Sequence, residues 1–160
     1  MDLLQCLERD LGSIKLMLDV LGSPETGYFR KERVFRELDA LMDSHSRSKN
    51  NVLDRIREED DLEPLTWQNC MEESKIQQEI DRIERETDPD TWESLVEGLV
   101  GRLQAHLACE MRLLEKVTGR LGPYDSKYLM RRYLEERART QDLVCDENKG
   151  ALAFLMHEAV

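Results

Sequence analysis

The 160-residue sequence predicts an all-α protein, an antiparallel up-down-up-down four-helix bundle with one or two extra helices at its C-terminal end. Three observations predict it. Apolar residues recur at alternating spacings of three and four through four successive stretches, which puts a stripe on one face of each helix. The 8 Gly and 4 Pro are few, and several fall between those stretches. The chain also echoes itself about 61 residues on: Asp10-Leu11-Gly12-Ser13-Ile14 returns as Glu72-Glu73-Ser74-Lys75-Ile76, and His45-x-x-x-Lys49 returns as His106-x-x-x-Glu110. Leu11 and His45 are 34 positions apart, and Glu73 and His106 are 33 apart, so a whole helix pair repeats almost rigidly.

The first helix carries Leu4, Leu7, Leu11, Ile14, Leu18 and Leu21 over about 20 residues, and Gly22-Ser23-Pro24 ends it. Ser23 and Pro24 suit the cap and first position of the second helix, whose stripe is Val34, Leu38, Leu41, His45, Lys49, Val52 and Ile56. The acidic run from Glu58 to Pro64 is expected to be a solvated loop. The third stripe is Trp67, Cys70, Glu73, Gln77, Ile80 and Ile83. Asp88-Pro89 is a helix start, followed by Trp92, Leu95 or Val96, Leu99, Leu103, His106, Glu110, Leu113 and Val117. Gly119 and Gly122-Pro123 close the fourth helix. A fifth, over about 124–143, sets Tyr124, Tyr128, Leu129 and Tyr133 near one face, where tyrosines seal a bundle end or a subunit contact, and Ala151 to Met156 suit a sixth. The domain expectation is therefore residues 1–120 as the bundle and 121–160 as a C-terminal helical extension packed on it.

Charged residues make up 36% of the chain and the net charge is −11, which excludes a nucleic-acid backbone as partner. No stretch is long and apolar enough for a membrane span, and the charged N-terminus is unlike a signal peptide. Cys6, Cys70, Cys109 and Cys145 lie far apart without a Cys-x-x-Cys pair and read as reduced thiols of a cytoplasmic protein.

His45, Glu73, His106 and Glu110 all occupy stripe positions that their helices should bury. A carboxylate buried without a partner costs several kcal/mol, so these groups must find a metal, a cation or each other. Counting from the loops places Leu11, His45, Glu73 and His106 at one depth, and the i, i+4 spacing puts His106 and Glu110 on one face, as two ligands for one metal would need. Taken singly, each histidine also suits a hydrogen-bonded core position. Cys109 is expected to pack, Glu73 becomes solvated if the stripe is rotated, and His157 lies in an exposed tail.

These residues and their order resemble the bacterial hemerythrin-like, cation-binding family over about residues 4–118. The resemblance implies four helices around a non-haem di-iron centre, with one His each from the first and third helices, in acidic-His-x-x-Ile segments, and His-x-x-x-Glu from the second and fourth. This chain keeps His45, His106 and Glu110. It departs at Leu11, at Lys49 in place of a bridging Glu, and at Glu73 in place of a His. A leucine cannot ligate, and a lysine brings positive charge where an anionic bridge belongs. The resemblance thus implies a remnant site at His45, Glu73, His106 and Glu110 whose di-metal centre is lost.

Glu-x-x-His, His-Glu-x-x-His, Gly-rich nucleotide loops and a nucleophile elbow are all missing from the sequence. The leading expectation is a non-catalytic regulatory or interaction protein without a cofactor, acting through self-association or a protein partner. The alternative keeps a single iron or zinc ion on the four residues, to sense or handle iron, oxygen or nitric oxide. A redox enzyme using such a metal comes third.

Overall fold

The computed structural model describes residues 2–56 and 61–139, and in these the chain is all helical apart from short turns. Helices α1 (Leu3–Gly22), α2 (Tyr28–Ile56), α3 (Glu63–Glu84) and α4 (Pro89–Thr118) are followed by α5 over 123–139. α1 packs on both α2 and α4, and α3 packs on α4, while α2 and α4 meet over a smaller area. The backbones of α2 and α3 approach each other far less. Among the described residues no helix is long and apolar enough to cross a membrane.

Local chemistry explains where the helices begin. Asp2 Oδ1 accepts from the Gln5 amide at 2.8 Å while the Asp2 amide donates to Gln5 Oε1 at 3.0 Å, a reciprocal cap on α1. Asp88 Oδ2 accepts from the Thr91 amide at 2.9 Å, and Pro89 opens α4 where no amide hydrogen is needed. Caps of this kind stabilise a helix by about 0.5–2 kcal/mol each. Ser23 and Pro24 do not start α2. They lie in a turn in which the Thr26 amide donates to the Ser23 carbonyl at 3.2 Å, and the helix begins at Tyr28. Glu63 and Pro64 likewise belong to the first turn of α3 and not to the acidic loop, most of which lies outside the described residues. A bidentate pair from Arg120 to Asp61, at 2.7 and 2.6 Å, ties that turn to the end of α4.

The core is a column of leucine, isoleucine and valine: Leu7, Ile14 and Leu18 from α1, Leu38 and Val52 from α2, Ile76 and Ile80 from α3, Leu99 and Leu103 from α4. Each such side chain, fully buried, contributes about 1.5–3 kcal/mol of transfer free energy. Trp92 closes one end, edge-on to Tyr28 at 5.1 Å and Phe35 at 5.8 Å between ring centres.

Two stripes differ from expectation. In the first half of α3 the buried positions are Thr66 and Asn69, while Trp67 and Gln77 are exposed. The helix is turned by about one residue, because the polar Thr66 and Asn69 go inward against α4 and the tryptophan is left at the surface. On α5 Leu129, Tyr133 and Glu136 are buried, and Tyr124 and Tyr128 are exposed. Tyr133 donates from its hydroxyl to the Cys6 carbonyl at 3.0 Å, which docks α5 on α1. The end of the expected fifth helix, the expected sixth, Cys145 and His157 lie outside the described residues.

Candidate functional site

α2 supplies the centre of a buried polar cluster. His45 and Lys49 lie one helical turn apart on its inward face and are both fully buried. α4 brings His106 and Glu110 inward with the same spacing, and α3 brings Glu73 to the edge, its side chain 12% exposed. All four expected site residues thus belong to one connected cluster.

Glu110 is the hub. Its Oε1 lies 2.5 Å from His45 Nε2, and its Oε2 lies 2.8 Å from His106 Nε2 and 3.3 Å from Lys49 Nζ. Lys49 Nζ also contacts Glu73 Oε1, to which Ser46 Oγ donates at 2.6 Å. One ammonium therefore joins the carboxylates of α3 and α4 from a position on α2. The His106 contact is close but poorly directed, and neither His106 Nε2 nor Glu110 Oε2 completes a well-formed hydrogen bond.

Three further residues extend the cluster, and sequence reasoning passed over them as site residues. Asp10 on α1 is buried, with Oδ2 3.5 Å from His45 Nδ1 and Oδ1 3.3 Å from Arg137 Nη2 of α5. Arg137 Nη1 reaches Ser44 Oγ at 3.5 Å. Leu11, at the expected ligand position of α1, is buried in the apolar core beside Asp10 and offers no ligand atom. Asp10 carried a readable signal, because Leu7, Asp10 and Ile14 keep the three-four spacing. Arg137 and Ser44 carried none, since their contacts exist only once α5 docks.

Charge balance accounts for the arrangement. The carboxylates Asp10, Glu73 and Glu110 face two side-chain cations, Lys49 and Arg137, and His45 stands between Asp10 and Glu110, where a proton would balance the third carboxylate. Burial opposes charge on His45, but the carboxylates of Asp10 and Glu110 on its two sides outweigh it and raise its pKa above the usual 6.5. Burial also opposes ionisation of Glu110. The Lys49 ammonium and the contacts from His106 and His45 prevail, holding the carboxyl well below its usual range.

Glu73, His106 and Glu110 can each offer one ligand atom, and these three atoms lie within 4.8 Å of one another. Two carboxylates and an imidazole suit a single zinc or ferrous ion. Lys49 contacts both of the carboxylates, so a cation bound by that trio would have to displace or deprotonate the ammonium. Cys109, next to Glu110, is exposed and not packed as expected.

Compared with protein-family models, with curated proteins and with solved structures, the chain finds no match.

Proposed function

We propose that the protein is a non-catalytic regulatory or interaction module, a hemerythrin-like bundle in which an ion-pair cluster stands where a di-metal centre would be. One observation carries the reading: Lys49 Nζ contacts both Glu73 and Glu110 in the polar layer at which the repeated helix pairs meet. An ammonium there neutralises the two carboxylates that a metal would otherwise neutralise. Leu11, buried among hydrocarbon side chains, and Lys49 together leave a di-iron set incomplete. In this reading α1 to α4 form an antiparallel up-down-up-down bundle, which the α1–α2, α1–α4 and α3–α4 packings favour. Its surface carries the function: Leu65, Trp67 and Met71 on α3 are exposed apolar side chains that a protein partner or second copy can cover.

A second reading has its own support. The Glu73, His106 and Glu110 trio, with two poorly hydrogen-bonded atoms facing each other, suits one zinc or iron ion. In that case these three residues hold the ion, Lys49 swings aside, and the ion supplies a Lewis-acidic or redox-active centre. Metal content of protein purified from iron- and zinc-supplemented cells separates the two. The first reading expects less than a tenth of an ion per chain. A stoichiometric metal that disappears in His106→Ala overturns it in favour of the second.

A further inference from the structure

α3 packs on α4 and meets α2 through few backbone contacts, which leaves its outer side uncovered among the described residues. That side presents Pro64, Trp67, Met71, Ser74 and Gln78, all exposed, at the three-four spacing of a helix–helix seam. Trp67 is 66% exposed and Met71 42%. A trough lined by residues of α3 alone, Trp67 and Met71 among them, runs along this face. Tryptophan is among the commonest anchors of protein contacts. Round the helix toward α4, Leu65 and His106 line a separate groove of about 560 Å³, which the stripe does not enter.

The stripe is also uncharged over about four helical turns, on a chain that is 36% charged. By contrast the outer face of α1 carries Glu8, Lys15 and Asp19. Two chains of net charge −11 repel each other at long range, and they approach best where no charge stands on the seam. An antiparallel alignment makes the stripe its own complement. With a twofold axis at the level of Asn69, Trp67 falls on Met71 of the second copy and Pro64 on Ser74 of the second copy, and the symmetry repeats each contact. Lys75, the sole cation between Asp61 and Asp81, then stands at the level of Glu63 of the second copy, close to that copy's Asp61. A parallel alignment would instead set Lys75 on Lys75.

We infer that two copies of the chain pair antiparallel through the outer face of α3, Trp67 of each seated on Met71 of the other. Two apolar layers make a small interface, so the dimer is weak and reversible, at the low end of specific contacts. The inference rests on the proposed interaction role and narrows its partner to a second copy.

Sedimentation of the full chain from about 1 to 200 µM tests it, with a dimer expected to dissociate at about 10–100 µM. Trp67→Glu with Met71→Glu, both at exposed positions, should give a monomer throughout while far-UV circular dichroism stays that of the parent. Trp67→Ala should weaken the dimer at least about tenfold, because the symmetry removes two tryptophan anchors at once. Phe29→Ser, at an aromatic 84% exposed on α2, should leave it unchanged. A short bismaleimide reads the orientation. It should join the half-buried Cys70 to Cys70 of the second copy, which the register sets about two residues of helix apart. Ser74→Cys in a Cys70→Ser background should cross-link little at position 74, because the two copies of it lie about ten residues, or 15 Å, apart along the helix. A strict monomer, a dimer that survives the Trp67 variants or is dispersed by Phe29→Ser, or efficient cross-linking of position 74 to itself overturns the inference. Metal content, which tests the proposed function, is indifferent to these surface substitutions, so a monomer without metal overturns the dimer and leaves that reading standing.

Discussion

The two sides of the buried cluster are built differently. Toward α1 and α5 it is sealed: His45 has no exposure and Asp10 only 2%, with Arg137 closing over the pair from α5. Toward α3 it is looser: Glu73 keeps an exposed edge, His106 borders the groove, and the backbones of α2 and α3 barely meet. In the sealed half the charges must balance among themselves. In the looser half water, a metal or a ligand can share in the balance. The same ion-pair chemistry is therefore rigid scaffolding on one side and an accessible surface on the other.

Glu110 spans both halves, so its loss should be the most damaging. Glu110→Ala leaves Lys49 and His45 short of a carboxylate and should cost about 3–5 kcal/mol in urea unfolding. The contrast between the halves comes next. Asp10→Asn should destabilise by about 2–3 kcal/mol, because His45 and Arg137 lose their shared anion in a sealed site. Glu73→Gln should cost only about 1 kcal/mol, because water reaches its edge. Equal costs, or a larger cost at Glu73, would break the distinction between the sealed and open sides.

Titration sharpens the same comparison. The raised pKa of His45 contributes stability that is complete below about pH 6.5, its unfolded value, and is lost as pH rises through the higher folded value. The depressed pKa of Glu110 contributes stability that is complete above about pH 4.5 and is lost as pH falls through its low folded value. The cluster should therefore contribute most between about pH 4.5 and 6.5. His45→Asn should flatten the decline on the alkaline side, which unfolding followed across pH would read directly.

The smallest effect expected is a gain. Asp39 on α2 is pushed up to about 6, first by burial and then by the neighbouring Glu84 of α3. Its sign is that of a raised group: stability is present below pH 3.8 and is lost as pH climbs toward 6. Discounted for its partial exposure, Asp39→Asn should stabilise the protein at pH 7 by about 1 kcal/mol, with no gain at pH 3.5.

Legibility from sequence followed the same division. On α4 the expected stripe is buried throughout, though Val100, Leu107 and Leu114 are buried beside it; its inward positions are apolar except where His106 and Glu110 interrupt them, and the interruption itself marks the site. On α1 the stripe from Leu7 to Leu21 read correctly, but Leu3 and Cys6 are buried where Leu4 was expected, and Asp10 is a charge on the apolar stripe that Leu11 next to it obscured. The first half of α3 was misread because hydrophobicity favoured Trp67, whereas packing chose Thr66 and Asn69. A weakly amphipathic helix on a sparse seam gives periodicity little to work with. Arg137 was invisible because its place in the cluster depends on how α5 docks, which no local pattern encodes.

The central claim is that Lys49 neutralises carboxylates where a metal would. Thermal unfolding of the parent and of Lys49→Met, each with and without a small molar excess of Zn²⁺, tests it most directly. Without zinc, Lys49→Met should melt well below the parent. Zinc should restore much of the difference through Glu73, His106 and Glu110 while leaving the parent nearly unmoved. A parent stabilised by zinc as strongly as the variant, or a Lys49→Met protein that melts with the parent in its absence, would contradict the account.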